Sequence, residues 1–149
     1  MAFFYFDFKD DKKQTCHGLL LSLVIQLSTR SHSCREILSR IHTTHEDGAR
    51  QPNDGALKEC LQEMLELSRQ SPIFIIMHAL DGSPNSSGMP SPRSRVLRLV
   101  KGLIDLRLQN LHICVTSRPE TDIRSVLKPL AFRSIGLPTR RKWTKGGYR

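Results

Sequence analysis

The sequence is short of acids where it matters most: residues 139–149 hold Arg140, Arg141, Lys142, Lys145 and Arg149 and no Asp or Glu. Five of the nine net positive charges therefore sit in that stretch, and a basic balance confined to a tail says little about what a domain binds. Long apolar runs are missing as well. The greasiest helical stretch, Leu19 to Leu27, is interrupted by Ser22 and Gln26 and is far too short to span a bilayer. Met1 runs straight into Phe3-Phe4-Tyr5-Phe6 with no basic start, so no cleavable signal is expected. No two of Cys16, Cys34, Cys60 and Cys114 form a C-x-x-C pair, which leaves reduced, mostly buried thiols and a cytoplasmic setting as the expectation. His42 and His45 stand three apart in a Thr/Asp/Gly-rich loop without the H-E-x-x-H spacing, and no metal site is expected. There are no internal repeats.

What is present reads as one soluble α/β domain, with 38% hydrophobic and 25% charged residues over 149 positions. Residues 2–8 hold four of the six phenylalanines and predict a strand with Phe4, Phe6 and Phe8 on one face. Thr15 caps a helix running to about Thr29, and its broad stripe from Leu19 to Leu27 predicts burial nearly all round. Ser33 caps a shorter helix with Ile37, Leu38 and Ile41 facing inward, and residues 42–55 read as a loop. Asn53 or Asp54 opens the cleanest amphipathic helix, with Leu57, Cys60, Leu61, Met64 and Leu65 in register.

Ile73-Phe74-Ile75-Ile76-Met77-His78 lies between Pro72 and Gly82-Ser83-Pro84, as a central parallel strand covered on both faces would. Ser91 and Pro92 start the next helix, followed by a strand over 111–116. Pro119 opens a helix with Ile123, Val126, Leu127 and Leu130. Phe132 to Leu137 is a candidate last strand. Alternating strands and helices imply a parallel sheet with right-handed crossovers.

Two stretches carry a resemblance. His78-Ala79-Leu80-Asp81-Gly82, closing an apolar strand, resembles the Walker B segment of NACHT-type P-loop NTPases, the STAND-class signalling domains of NLR-like and nephrocystin-like proteins. Family members usually read Asp-(Ala/Gly)-Leu-Asp-Glu there. Leu111-His112-Ile113-Cys114-Val115-Thr116-Ser117-Arg118-Pro119-Glu120 is similar to the family's sensor-1 strand with its Thr-Ser-Arg-Pro ending. The resemblance spans about 2–137 and leaves 138–149 as a basic, disordered tail.

It implies a three-layer, P-loop NTPase-like parallel sheet with strand order 5-1-4-3-2. Residues 2–8, 73–78 and 111–116 would be strands 2, 3 and 4, and strand 1, with its phosphate loop, would be missing. By resemblance Asp81, Ser117 and Arg118 are the nucleotide-facing residues, a guanidinium suiting the γ-phosphate. His78 and Gly82 occupy degenerate Walker B positions, where the family has its magnesium-associated carboxylate and its water-placing acid.

The residues alone leave plainer readings open: Asp81 as a turn cap, His78 as a satisfied strand-end side chain, Arg118 as a surface cation. Phosphoryl transfer needs a glycine-rich cradle of backbone N–H groups and a Lys. No G-x-x-x-x-G-K-[ST] occurs in the sequence. The expectation is a degenerate fragment of a NACHT-type nucleotide-binding signalling domain with no catalytic residue. It would take no cofactor by itself, whereas intact members take ATP or GTP with magnesium. Its partners would be full-length NACHT relatives meeting an exposed sheet edge, with no nucleic acid and no membrane. The alternative is a basic nucleic-acid-binding module acting through Arg140-Arg141-Lys142-Trp143 and the residues after them.

Overall fold

A computed structural model describes residues 1–44, 51–67, 71–85 and 88–135. The basic tail, residues 136–137 of the candidate last strand, and His45 lie outside the described residues. The described chain forms a parallel three-stranded sheet in the order β1 (Ala2–Tyr5), β2 (Ile73–His78), β3 (Leu111–Val115). Between them run α1 (Cys16–Ser28), α2 (His32–Thr44), α3 (Asp54–Leu67) and α4 (Pro92–Asp105), and α5 (Thr121–Leu127) follows β3. Adjacency of the three strands and their common direction agree with the sequence reading.

The first four helices each start where a side chain can take an orphan amide. Thr15 accepts from Gly18 N–H at 3.1 Å, Asn53 from Ala56 N–H at 2.9 Å, and Ser91 from Ser94 N–H at 3.2 Å. The second helix begins earlier than expected, because Ser31 rather than Ser33 accepts from Cys34 N–H. It also ends later, at Thr44, inside the stretch read as loop. The stripe Leu57, Cys60, Leu61, Met64 and Leu65 on α3 is fully buried, as its spacing required.

The first strand is shorter than 2–8. Phe6 N–H still reaches the His78 carbonyl at 3.0 Å, but Asp7 then turns the chain, its carboxylate accepting from Lys9 N–H at 2.9 Å. Phe8 is thereby turned away from Phe4 and Phe6 and is 69% exposed. A short 3-10 turn, Asp11–Lys13, leads into α1. At the other end, α5 starts two residues after Pro119, and Leu130 falls beyond it. Residues 132–135 are not strand.

Two further expectations are corrected by how the chain winds. α1 packs on β1, α2, α3 and α4, yet Leu21 and Ile25 on its far side are exposed. β2 alternates rather than being covered twice: Ile73, Ile75 and Met77 are wholly buried, while Phe74 is 46% exposed. Phe3 and Tyr5 stand on the same open face. The reason is topological. Strands are added in one direction only, and right-handed crossovers in a sheet wound one way all fall on the same side. Among the described residues there are two layers, not three.

Candidate functional site

The carboxyl ends of parallel strands are where open α/β sheets place their sites, and β2 and β3 end side by side. Beyond His78 the chain bends sharply, with Ala79 in the left-handed region at φ 55, ψ 48, a conformation that a non-glycine residue adopts at a cost of about 1 kcal/mol. Thr116 holds the bend. Its hydroxyl accepts from Ala79 N–H at 3.2 Å and lies 2.6 Å from His78 Nδ1. The hydroxyl can serve both groups at once, since its oxygen carries two lone pairs beside its proton. The imidazole also stacks on the Tyr5 ring, centroids 5.4 Å apart. His78 is thus a satisfied strand-end residue.

Asp81 sits in the 3-10 turn Leu80–Gly82, and it is the partner of Arg118 rather than a turn cap. One carboxylate oxygen accepts from Arg118 N–H at 3.0 Å, and the other lies 3.3 Å from Arg118 Nε. The Asp81 side chain is 15% exposed and that of Arg118 79%. Ser117 turns its hydroxyl to the Arg118 carbonyl at 2.9 Å. Two of the three expected residues therefore meet directly, and the third braces the same turn.

Gly82 lies against β1: a Cβ there would stand 3.0 Å from the Phe6 carbonyl oxygen and 3.2 Å from its Cβ. The position is a close crossing of two backbones, which any acid would have to displace.

Sequence reasoning missed Arg93. It is 8% exposed, with Nε donating to the Ser83 carbonyl at 2.8 Å and Nη2 to the Asp81 carbonyl at 2.9 Å. Nη1 lies 3.3 Å from both carboxylate oxygens of Asp122 on α5. One guanidinium thus ties the turn after β2 to α5, using the planar fork that Lys lacks. A signal was available: Arg93 directly follows Pro92 in the first turn of α4, where a cation opposes the helix dipole and calls for a separate reason.

These residues do not fit a magnesium nucleotide. Both oxygens of Asp81 are engaged by Arg118, His78 presents its Nδ1 to Thr116, and Gly82 has no side chain to offer. Magnesium prefers anionic oxygen that is free to face it. A separate cavity of about 480 Å³ opens at the N-termini of α1, α3 and α4, lined by Thr15, His17, Asp54 and Arg95 among others. Among the described residues its one acid already has a partner, with His17 Nδ1 2.8 Å from Asp54 Oδ1. Cys16, also on its wall, has its thiol pushed up to about 11 by burial, which makes it a poor nucleophile.

Among the described residues no helix is long and apolar enough to cross a membrane. Residues 1–118 match the family described as nephrocystin 3, N-terminal. Searches of curated proteins and of solved structures return no match.

Proposed function

The chain belongs to the nephrocystin 3 N-terminal family, and from that premise we propose that it is a NACHT-type, P-loop NTPase-like signalling module whose nucleotide chemistry is silent. The observation that carries the reading is the Asp81–Arg118 pair. The acid left at the Walker B-like turn and the arginine of the sensor-like turn satisfy each other instead of facing a ligand. With Asp81 so engaged, His78 bound to Thr116 and no phosphate cradle in the sequence, these 149 residues neither bind ATP or GTP nor hydrolyse them. Several charge-assisted hydrogen bonds normally hold a triphosphate together, and losing the set removes useful affinity.

The role left to such a module is contact. Its partner is a relative of the same family, met along the border of β3, and its setting is the cytoplasm. Titration calorimetry of the 149-residue chain with Mg-ATP and Mg-GTP is expected to give no binding heat. A micromolar dissociation constant for either nucleotide would overturn the reading.

A further inference from the structure

The two borders of the sheet differ in what their backbones offer. Ile73 N–H reaches the Asn110 carbonyl and Thr116 N–H reaches the Met77 carbonyl. The even-numbered residues of β3 therefore turn their peptide groups toward β2, and Leu111, Ile113 and Val115 turn theirs outward. Leu111 N–H is taken by the Leu108 carbonyl at 3.1 Å. Among the described residues nothing meets the Leu111 carbonyl or the N–H and C=O groups of Ile113 and Val115.

At the opposite border Phe6 pairs with β2, so Phe3, Tyr5 and Asp7 face outward. There the Gln26 side-chain amide brackets Phe3, accepting its N–H at 2.9 Å and donating to its carbonyl at 2.7 Å. The Lys13 carbonyl takes Asp7 N–H at 3.2 Å.

We propose that a second copy of this chain pairs with β3, antiparallel, across a two-fold axis through Ile113. The inference rests on the reading of the β3 border as a contact surface and narrows the relative that meets it to an identical chain. The free groups are symmetric about Ile113. Ile113 N–H faces the Ile113 carbonyl of the second copy in both directions, and each Val115 N–H faces a Leu111 carbonyl, giving four backbone hydrogen bonds. The half-buried side chains of Leu111, Ile113 and Val115 then extend one apolar layer into the next. Neither a charge nor a proline lies in Leu111–Val115 to repel a like strand. Gln26 and Lys13 block the other border at Phe3 and Asp7 and leave only the single residue Tyr5 between them, too little for a strand to pair with. Assembly therefore closes at two instead of running on as a filament. Joining two five-residue strands buries much less than the roughly 1,600 Å² of a standard interface, so dissociation falls in the micromolar range.

Sedimentation velocity of the 149-residue chain in reductant, from low to high micromolar concentration, tests this. A monomer passing to a dimer, and nothing larger, is expected. Val115→Pro removes an outward N–H at an edge position that tolerates proline. It should weaken the dimer about tenfold or more, the loss of about 1.4 kcal/mol, with far-UV circular dichroism unchanged. Gln26→Ala, which uncovers Phe3, should produce species beyond the dimer. Antiparallel register also sets position 112 opposite Cys114 of the second copy. Oxidising His112→Cys with oxidised glutathione should give a disulfide-linked dimer, mapped by peptide mass to positions 112 and 114.

A chain monomeric at every concentration, or Val115→Pro associating as tightly as the unaltered chain, overturns the proposal. If Val115→Pro does not fold, absence of the 112–114 link overturns it instead. Any of these results leaves the nucleotide reading untouched, since titration decides that one independently.

Discussion

The β1 and β3 borders of the sheet are finished by opposite means. At β1 a side chain from α1 imitates a neighbouring strand at Phe3, and a backbone carbonyl from the Asp11–Lys13 turn takes the Asp7 amide. The Tyr5 peptide groups are thus flanked on both sides by the chain itself. At β3 the turn after the strand is secured from behind, through Asp81, Arg93 and Asp122, and among the described residues the outward peptide groups of Ile113 and Val115 stay open. The difference teaches where contact can occur. A border met by its own chain is inert, and an uncovered apolar border is a template for another strand.

The comparison breaks most severely at the β3 side if Arg93 is removed. Arg93→Ala leaves Asp122 and two carbonyls without their donor and should destabilise the fold by about 3 kcal/mol, read as a lower urea midpoint. Arg93→Lys should recover only part of that loss, because an ammonium cannot reach three acceptors in one plane.

On the covered side, a Cβ at Gly18 would stand 1.9 Å from the Lys12 carbonyl oxygen. Gly18→Ala must push the Asp11–Lys13 turn off the border, at about 2 kcal/mol, with faster hydrogen exchange at Asp7 N–H as the specific sign.

The smallest effect sharpens a parallel contrast between the two faces. Burial pushes the Cys16 and Cys60 thiols on the helix side up from 9.0 to about 11, while Cys114 lies exposed on the open face. Iodoacetamide under native conditions should modify Cys114 before either. The raised values also fix the sign of a pH effect. The unfolded chain releases these thiol protons first, so native stability is full below pH 9 and falls between 9 and about 11. Cys16→Ser and Cys60→Ser should flatten that fall.

Much of the scaffold was legible. The 3-and-4 spacing of Leu57, Cys60, Leu61, Met64 and Leu65, the breakers flanking Ile73–His78, and Ser91-Pro92 each name an element through local chemistry. The meeting of Asp81 with Arg118 was partly legible, since both end apolar strands that a parallel sheet sets side by side. Arg93 was hidden because its three acceptors are scattered from Asp81 to Asp122. Gln26 was hidden for the same reason: in sequence it looks like a polar interruption of an apolar helix, and only docking α1 beside β1 turns it into a substitute strand.

By itself the sequence determined where three strands and five helices lie, though not their ends and not the candidate strand at 132–137, because periodicity, caps and breakers act over a few residues. It also determined that no G-x-x-x-x-G-K-[ST] motif lies within these residues. Tertiary structure alone decided that, among the described residues, the sheet is covered on one face and that its β1 border is blocked at Phe3 and Asp7 while its β3 border is open. Those outcomes depend on the direction in which strands are added and on which distant side chain reaches which peptide group, and neither is a property of any local stretch of chain.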